Sequence, residues 1–316
     1  MTARPLRCLV GIVERELLRF LRQRGRFFAS LVRPLVWLVI FGTGLRSMIS
    51  LSDLPPYATV VTYEEYIVPG LVGLVLLFNG MQIALSMVFD REMGSMKVLL
   101  VSPLPRGYLL ACRLMAGVIV ALPQVYAFLA CAWLWGVRPP AGGLLSVLPA
   151  VVLAGLMLGA VGLLLSSLVE QLENFAGVMN FVIFPVFFAS TALYPLGRLA
   201  DTNAVLAEIA RLNPFSHAVE LVRFALYGRI ESVALLTTAL VTVAAMALAI
   251  WRYDSGRILR RGLAGLPGAQ RLGAGLHRRE GAEGEVLGHP RTFIAGGAPL
   301  QWRVFSCLGR ALSGRA

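Results

Sequence analysis

Charge is scarce in this sequence. Only 15% of its 316 residues are Asp, Glu, Lys or Arg and 57% are apolar, where an average soluble domain has about 25% charged and about 45–50% apolar residues. That composition excludes a soluble globular enzyme as the default reading. It also excludes disorder of the whole chain, since disordered segments are poor in apolar residues and rich in charge. Cysteine is sparse: Cys8, Cys112, Cys131 and Cys307 make no C-x-x-C or Cys/His spacing and read as structural residues. The histidines His217, His277 and His289 have no ligand partners at sensible spacing, so no metal site is expected. No G-x-x-x-x-G-K-S/T stretch occurs; Lys97, the one lysine beside 28 arginines, lies in Gly94-Ser95-Met96-Lys97-Val98. The chain is therefore not expected to bind and hydrolyse a nucleotide through a phosphate-cradling loop. Ser/His/Asp and paired-carboxylate arrangements are missing too, and no catalytic residue is assigned.

The class that remains is an integral membrane protein. A charge at mid-bilayer is costly and about 20 apolar residues cross as a helix, so charge-free intervals locate the spans. Six qualify: 27–45, interrupted by Arg33; 66–89; 114–137; a fourth starting near Leu144 and ending at 169; 174–197; and 232–251. The expected fold is all-α, with six transmembrane helices and no strands. With both ends inside, the cytoplasmic pieces hold 22 Arg and Lys and the outer pieces 6, which favours cytoplasmic termini. The net charge of +12 then reads as juxtamembrane arginine facing anionic lipid, with no nucleic-acid partner.

Three segments between spans are more than connections. Over residues 8–26, Arg15, Arg19, Arg22 and Arg26 form one stripe, which predicts an interfacial helix along the cytoplasmic leaflet. After span two, Met93, Met96 and Leu100 share a helical face beside Asp90, Arg91, Glu92 and Lys97, and Ser102-Pro103 stops the helix. An exposed apolar face among charges suits docking into a partner's groove; packing on the ends of its own spans is the rival reading. Between spans five and six, Asn213-Pro214 reads as N-cap and first helical residue, and Gly228 as the stop. There Ser216, Glu220, Arg223 and Tyr227 form a polar stripe, Glu220 and Arg223 being spaced to pair, which predicts an amphipathic helix at the outer surface.

Within the spans, Gly155, Gly159 and Gly162 allow close helix approach, and Pro185 and Pro195 imply kinks. Asn79, Gln82 and Ser86 share one face of span two and Gln124 lies in span three. Such residues face protein or a water-filled path rather than lipid, so they are either interhelical hydrogen-bond partners or a substrate lining. The expected organisation is a cytoplasmic N-terminus over 1–26, a permease domain over 27–256, and a basic disordered tail over 257–316.

Three stretches carry a family resemblance: Asp90-Arg91-Glu92-x-Gly94 followed by Leu99-Leu100-Val101-Ser102-Pro103; Phe184-Pro185 through Tyr194-Pro195; and Asn213-Pro214-Phe215-Ser216-His217 with Arg223 downstream. Over residues 8–256 the sequence resembles the type-2 permease subunits of ATP-binding-cassette transporters, similar to those that export drugs, nodulation lipo-oligosaccharides and surface polysaccharides. The resemblance implies a multi-pass protein of the cell inner membrane that pairs with a second permease, as a homodimer, on two separate ATPase subunits. ATP and Mg would be bound by those partners, with no cofactor in this chain. It also implies that 90–102 is a coupling helix seated on the ATPase, 8–26 an interfacial elbow, and 213–228 part of an outer cap. A secondary transporter or another polytopic membrane protein without an ATPase partner is the alternative, though no repeat with paired broken helices and no mid-span carboxylate supports ion coupling.

Overall fold

A computed structural model describes residues 3–22, 24–45, 56–57, 62–93, 105–140, 142–169 and 171–254. Among them the chain is helical throughout, without a strand. The helices are α1 (Ala3–Arg22), α2 (Arg24–Leu45), α3 (Tyr63–Glu92), α4 (Arg106–Trp135), α5 (Gly143–Leu168), α6 (Leu172–Phe188), α7 (Leu196–Thr202), α8 (Ala204–Leu212), α9 (Pro214–Leu226) and α10 (Ser232–Asp254). Helix is what these sequences have to form in hydrocarbon, because it closes each segment's backbone hydrogen bonds internally.

Four helices are long and apolar enough to cross a membrane: α3, α4, α5, and α10 over Ser232–Tyr253. The other two expected spans are shorter apolar helices, Ser30–Gly44 within α2 and Leu172–Phe188. The fifth, expected to reach 197, stops at Phe188 three residues after Pro185, and a turn replaces its last third. The expected elbow helix over 8–26 ends at Arg22, and residues 24–26 belong to α2. Residues 255–316, which include the expected tail, lie outside the described residues.

Local signals explain the ends. Glu65 Oε2 accepts from the Thr62 N–H (3.2 Å) at the start of α3, and Asn203 Oδ1 accepts from Val205 and Leu206 at the start of α8. Gly136 (φ 116°) closes α4, and Gly228 (φ 67°) follows α9 as expected.

The core is built around α3, which packs against α2, α4, α5, α6 and α9. Ile67, Leu71, Met81 and Ala84 on it are fully buried. Its crossing with α5 is backbone against backbone: a Cβ on Gly80 would stand 2.6 Å from the Leu158 carbonyl oxygen, and one on Gly162 would strike the Gly80 carbonyl. Small residues are what permit such an approach. Apolar side chains on the outer faces, Ile40 on α2, Phe181 on α6, and Leu236, Leu240 and Val243 on α10, are exposed. Contiguous apolar surface of this kind suits lipid or another protein surface, not water.

Candidate functional site

The four polar residues singled out inside the spans converge. Asn79, Gln82 and Ser86 from α3 and Gln124 from α4 line one cavity, together with Arg33 of α2 and Glu16 and Phe20 of α1. Gln124 is buried, whereas Asn79, Gln82 and Ser86 are half-buried. Ser86 Oγ donates to the Ile83 carbonyl of its own helix at 2.8 Å. Arg33 lies over the Phe78 ring, 3.8 Å from its centroid. That residue stands out in the sequence only as the charge that interrupts the first apolar run.

The segment expected to form a separate coupling helix divides differently. Asp90, Arg91 and Glu92 are the last turn of α3, because nothing after Phe89 breaks the helix and all three side chains find partners in neighbouring helices. Met93 follows, 65% exposed; Gly94, Met96, Leu100, Ser102 and Pro103 lie outside the described residues. Asp90 forms a buried ion pair with Arg113 of α4, whose Nη1 also donates to Met87 Sδ at 2.8 Å. Arg91 Nη2 donates to the Ser166 carbonyl (2.5 Å) and Nη1 to the Val169 carbonyl (3.0 Å). These are end carbonyls of α5, which have no partner within their helix. Arg91 Nη2 also donates to the Tyr253 hydroxyl of α10 (3.2 Å), itself 2.8 Å from Ser166 Oγ. Glu92 Oε1 accepts from the backbone N–H of Leu172 at 2.7 Å, an orphan donor in the first turn of α6. Three consecutive charges thus tie the end of α3 to α4, α5, α10 and α6. Arg113 and Tyr253 carried no signal in the sequence, since their partners are 23 and 162 residues away.

At the other end of α3 the turn over residues 189–194 takes the place expected for helix. Unwound backbone is tolerated at depth only where its polar groups are satisfied by protein, and here they are. Asn213 Nδ2 donates to the Val186 and Ala189 carbonyls, both at 2.8 Å, while its Oδ1 caps α9 through the Phe215 N–H at 3.0 Å. The Thr191 carbonyl accepts from the Tyr66 hydroxyl (2.8 Å) and Arg223 Nη2 (2.9 Å), the Leu193 carbonyl from the Tyr63 hydroxyl (3.0 Å), and Thr191 N–H donates to Ser216 Oγ (3.2 Å). Pro214 opens α9 at the expected place, and Arg223 Nη1 pairs with Glu220 at 2.5 Å. The polar stripe of α9 nevertheless points inward: Ser216 and Arg223 are buried, because the Thr191 N–H of the turn needs an acceptor and its carbonyl a donor. The expected surface helix is therefore a buried one.

Electrostatics follow from this packing. Burial draws the Arg223 guanidinium down, but Glu220, then the rings of Tyr66 and Tyr57, outweigh it and hold the group above the ordinary arginine range. Burial pushes the Tyr57 phenol up to about 12, with the nearby Arg223 charge pulling the other way.

Apolar faces outside, membrane-length helices and charged clamps between helix ends mark a polytopic membrane protein. The sequence pattern of the ABC-2 type transporter family matches residues 8–227, and the chain belongs to that family. It is similar to the putative transport permease ycf38 of Cyanophora paradoxa, 25% identical over 219 residues that cover 68% of this chain and 73% of the relative. It is 29% identical over 170 residues to the probable multidrug ABC transporter permease YbhR of Escherichia coli, covering 53% of this chain and 45% of that one. A shorter match, 32% identical over 85 residues, covers 27% of this chain and 31% of nodulation protein J of Rhizobium leguminosarum bv. trifolii. The protein is thus an ABC transporter permease of a membrane, and its family implies an ABC ATPase as partner.

Proposed function

We propose that this chain is the transmembrane permease subunit of an ATP-driven exporter for an amphipathic, lipid-linked or glycan substrate. It crosses the cell inner membrane six times with both termini cytoplasmic, α2 and α6 completing the set that α3, α4, α5 and α10 begin. Residues 1–26 form the interfacial N-terminus, 27–256 the permease domain and 257–316 a basic cytoplasmic tail. Two copies of an ATPase subunit bind the ATP and Mg, and a second copy of this chain completes the path.

The observation that carries the reading is the clamp at the end of α3. The segment 94–104 follows directly from Asp90, Arg91 and Glu92, whose side chains grip α4, α5, α6 and α10. A force applied to that segment by a partner reaches four helices through three residues. The direction of transport and the substrate class lean on the relatives, one named a multidrug permease and another a nodulation protein. Asn79, Gln82, Ser86 and Gln124 are the path-facing polar residues in this reading, and Asn213, Pro214, Glu220 and Arg223 hold the outer cap.

Purification of the tagged chain from its membrane in mild detergent tests it. A soluble subunit bearing a nucleotide-binding motif should copurify with vanadate-sensitive ATPase activity, and Met96→Asp with Leu100→Asp should release that subunit while the permease stays inserted. A chain that comes out alone from several detergents would sink the reading in favour of a secondary transporter.

A further inference from the structure

The cavity between α1, α2, α3 and α4 holds a cation that the coupling scheme leaves unused. Arg33 lies in the first turn of the apolar helix Ser30–Gly44 and is exposed, a cation at a membrane segment's edge that calls for a partner. Among the described residues its contact is the Phe78 ring, and no carboxylate pairs with it. The other arginine in the wall, Arg113, is committed to Asp90. The acidic residue in the lining, Glu16, already accepts from Arg15 at 2.8 Å. The Phe78 ring meets the Arg33 charge but offers its N–H groups no oxygen acceptor, and an oxyanion supplies one, since arginine binds phosphate through two parallel hydrogen bonds. Beside it stand the amides of Asn79, Gln82 and Gln124, which can serve hydroxyl or ester oxygens. Phe20 and Phe78 add apolar wall.

We propose that this cavity binds the phosphate-bearing anionic head group of an amphiphile, with Arg33 as its charge partner and Asn79, Gln82 and Gln124 on the neighbouring oxygens. The combination selects against a cationic amphiphile, which would meet the same uncompensated charge. Under the topology proposed above, this half of α3 lies toward the inner leaflet, where such head groups are met. The assignment rests on the reading of the cavity as part of the transport path.

The full-length permease, purified in detergent, is offered an equal mixture of phosphatidylglycerol and phosphatidylcholine with the same acyl chains, and retained lipid is counted by native mass spectrometry. A charge-assisted pair lost on neutralisation corresponds to about tenfold or more in retention. The phosphatidylglycerol preference of the unmodified chain should be of that size, fall close to parity in Arg33→Gln, and largely survive in Arg33→Lys. A preference near one in the unmodified chain, a measurement that needs no variant, overturns the proposal; so does a preference that Arg33→Gln leaves unchanged. Inorganic phosphate at equal concentration should not displace the lipid, because it lacks the chains; displacement would overturn the amphiphile and assign a free oxyanion instead. Transport by Arg33→Gln separates the two levels: unimpaired transport beside a lost phosphatidylglycerol preference fails the path reading and leaves the binding site standing, whereas impaired transport beside an unchanged preference fails the binding site alone.

Discussion

Arg223→Met is the most informative single change around the turn over residues 189–194. The guanidinium is 2% exposed, donates to Glu220 and to the Thr191 carbonyl, and lies 4.1 Å from the Tyr66 ring centroid. Removing one member of a buried ion pair costs about 3–5 kcal/mol, mostly through the charge left behind. The Glu220 side chain is 26% exposed, so it recovers part of its hydration, and the single change should sit near the lower figure, about 3 kcal/mol. Thr191 keeps its bond from Tyr66, so no orphan carbonyl adds to the cost. Glu220→Gln alone still offers an acceptor to Arg223 and should cost about 2 kcal/mol. The double variant removes both charges, and a well-packed apolar replacement of a buried pair is often neutral. It should therefore cost no more than about 2 kcal/mol, a coupling of roughly 3 kcal/mol in the cycle. Unfolding in mixed micelles, followed by circular dichroism at rising denaturing detergent, reads all four proteins. Additive single costs would refute the account, since they would mean that Arg223 and Glu220 contribute independently and that the pair does not hold the turn.

Gly80→Val should destabilise by about 1–3 kcal/mol or prevent folding by forcing α3 off α5, while Gly177→Ala, whose Cβ meets nothing within 4 Å, should be neutral or stabilising by up to about 1 kcal/mol in the same unfolding assay. Asp90→Asn strands the Arg113 charge, whose side chain is 4% exposed, and should cost about 3 kcal/mol, with Asp90→Asn and Arg113→Gln together costing less than the single change; a double variant worse than Asp90→Asn would contradict the pairing. The Tyr57 phenol, at about 12 in the fold against about 10 unfolded, favours the neutral form, so its contribution is whole below pH 10 and is lost as pH rises through 12. Absorbance of phenolate at 295 nm should show one late-titrating phenol fewer in Tyr57→Phe than in the unmodified chain; loss of a phenol that titrates near pH 10 would refute its burial.

What the sequence made legible was periodicity and local chemistry. The spans of α3, α4, α5 and α10 were visible because a charge-free run can be one thing in hydrocarbon, and Asn213-Pro214, Gly228 and the Glu220 and Arg223 spacing were visible because caps and i, i+3 pairs are local. The shared face of Asn79, Gln82 and Ser86 was readable for the same reason. The early end of α6 at Phe188 was not, since Pro185 signals a kink as readily as a stop; what decides it is a set of donors from Tyr63, Tyr66, Asn213 and Arg223, none of them within 20 residues of the carbonyl it serves. Inward orientation of the α9 stripe was hidden likewise, because a polar stripe reads as solvent-facing until the carbonyls that need it are known. Asp90, Arg91 and Glu92 looked like a partner's recognition charges for the same reason: their partners are remote in sequence.

One helix joins all three places. α3 carries Tyr63 and Tyr66 at the turn over 189–194, Asn79 and Gln82 on the cavity wall, and Asp90, Arg91 and Glu92 at the clamp. Pro69 is its one proline, so the stretch from Gly70 to Glu92 keeps an unbroken ladder and spans about 34 Å at 1.5 Å per residue. Cavity wall and clamp therefore move as one body: Asn79 cannot shift relative to Asp90 without breaking backbone hydrogen bonds. Tyr63 and Tyr66 sit beyond Pro69, which lacks an N–H for the Glu65 carbonyl and so leaves the weakest link of the helix between the cavity and that turn. A displacement delivered at the clamp thus reaches the cavity undiminished, whereas the bonds to Thr191 and Leu193 can yield or hold separately. In the transport role proposed above that division has a use: the turn over 189–194 stays closed while the cavity fills and releases only after the wall has moved.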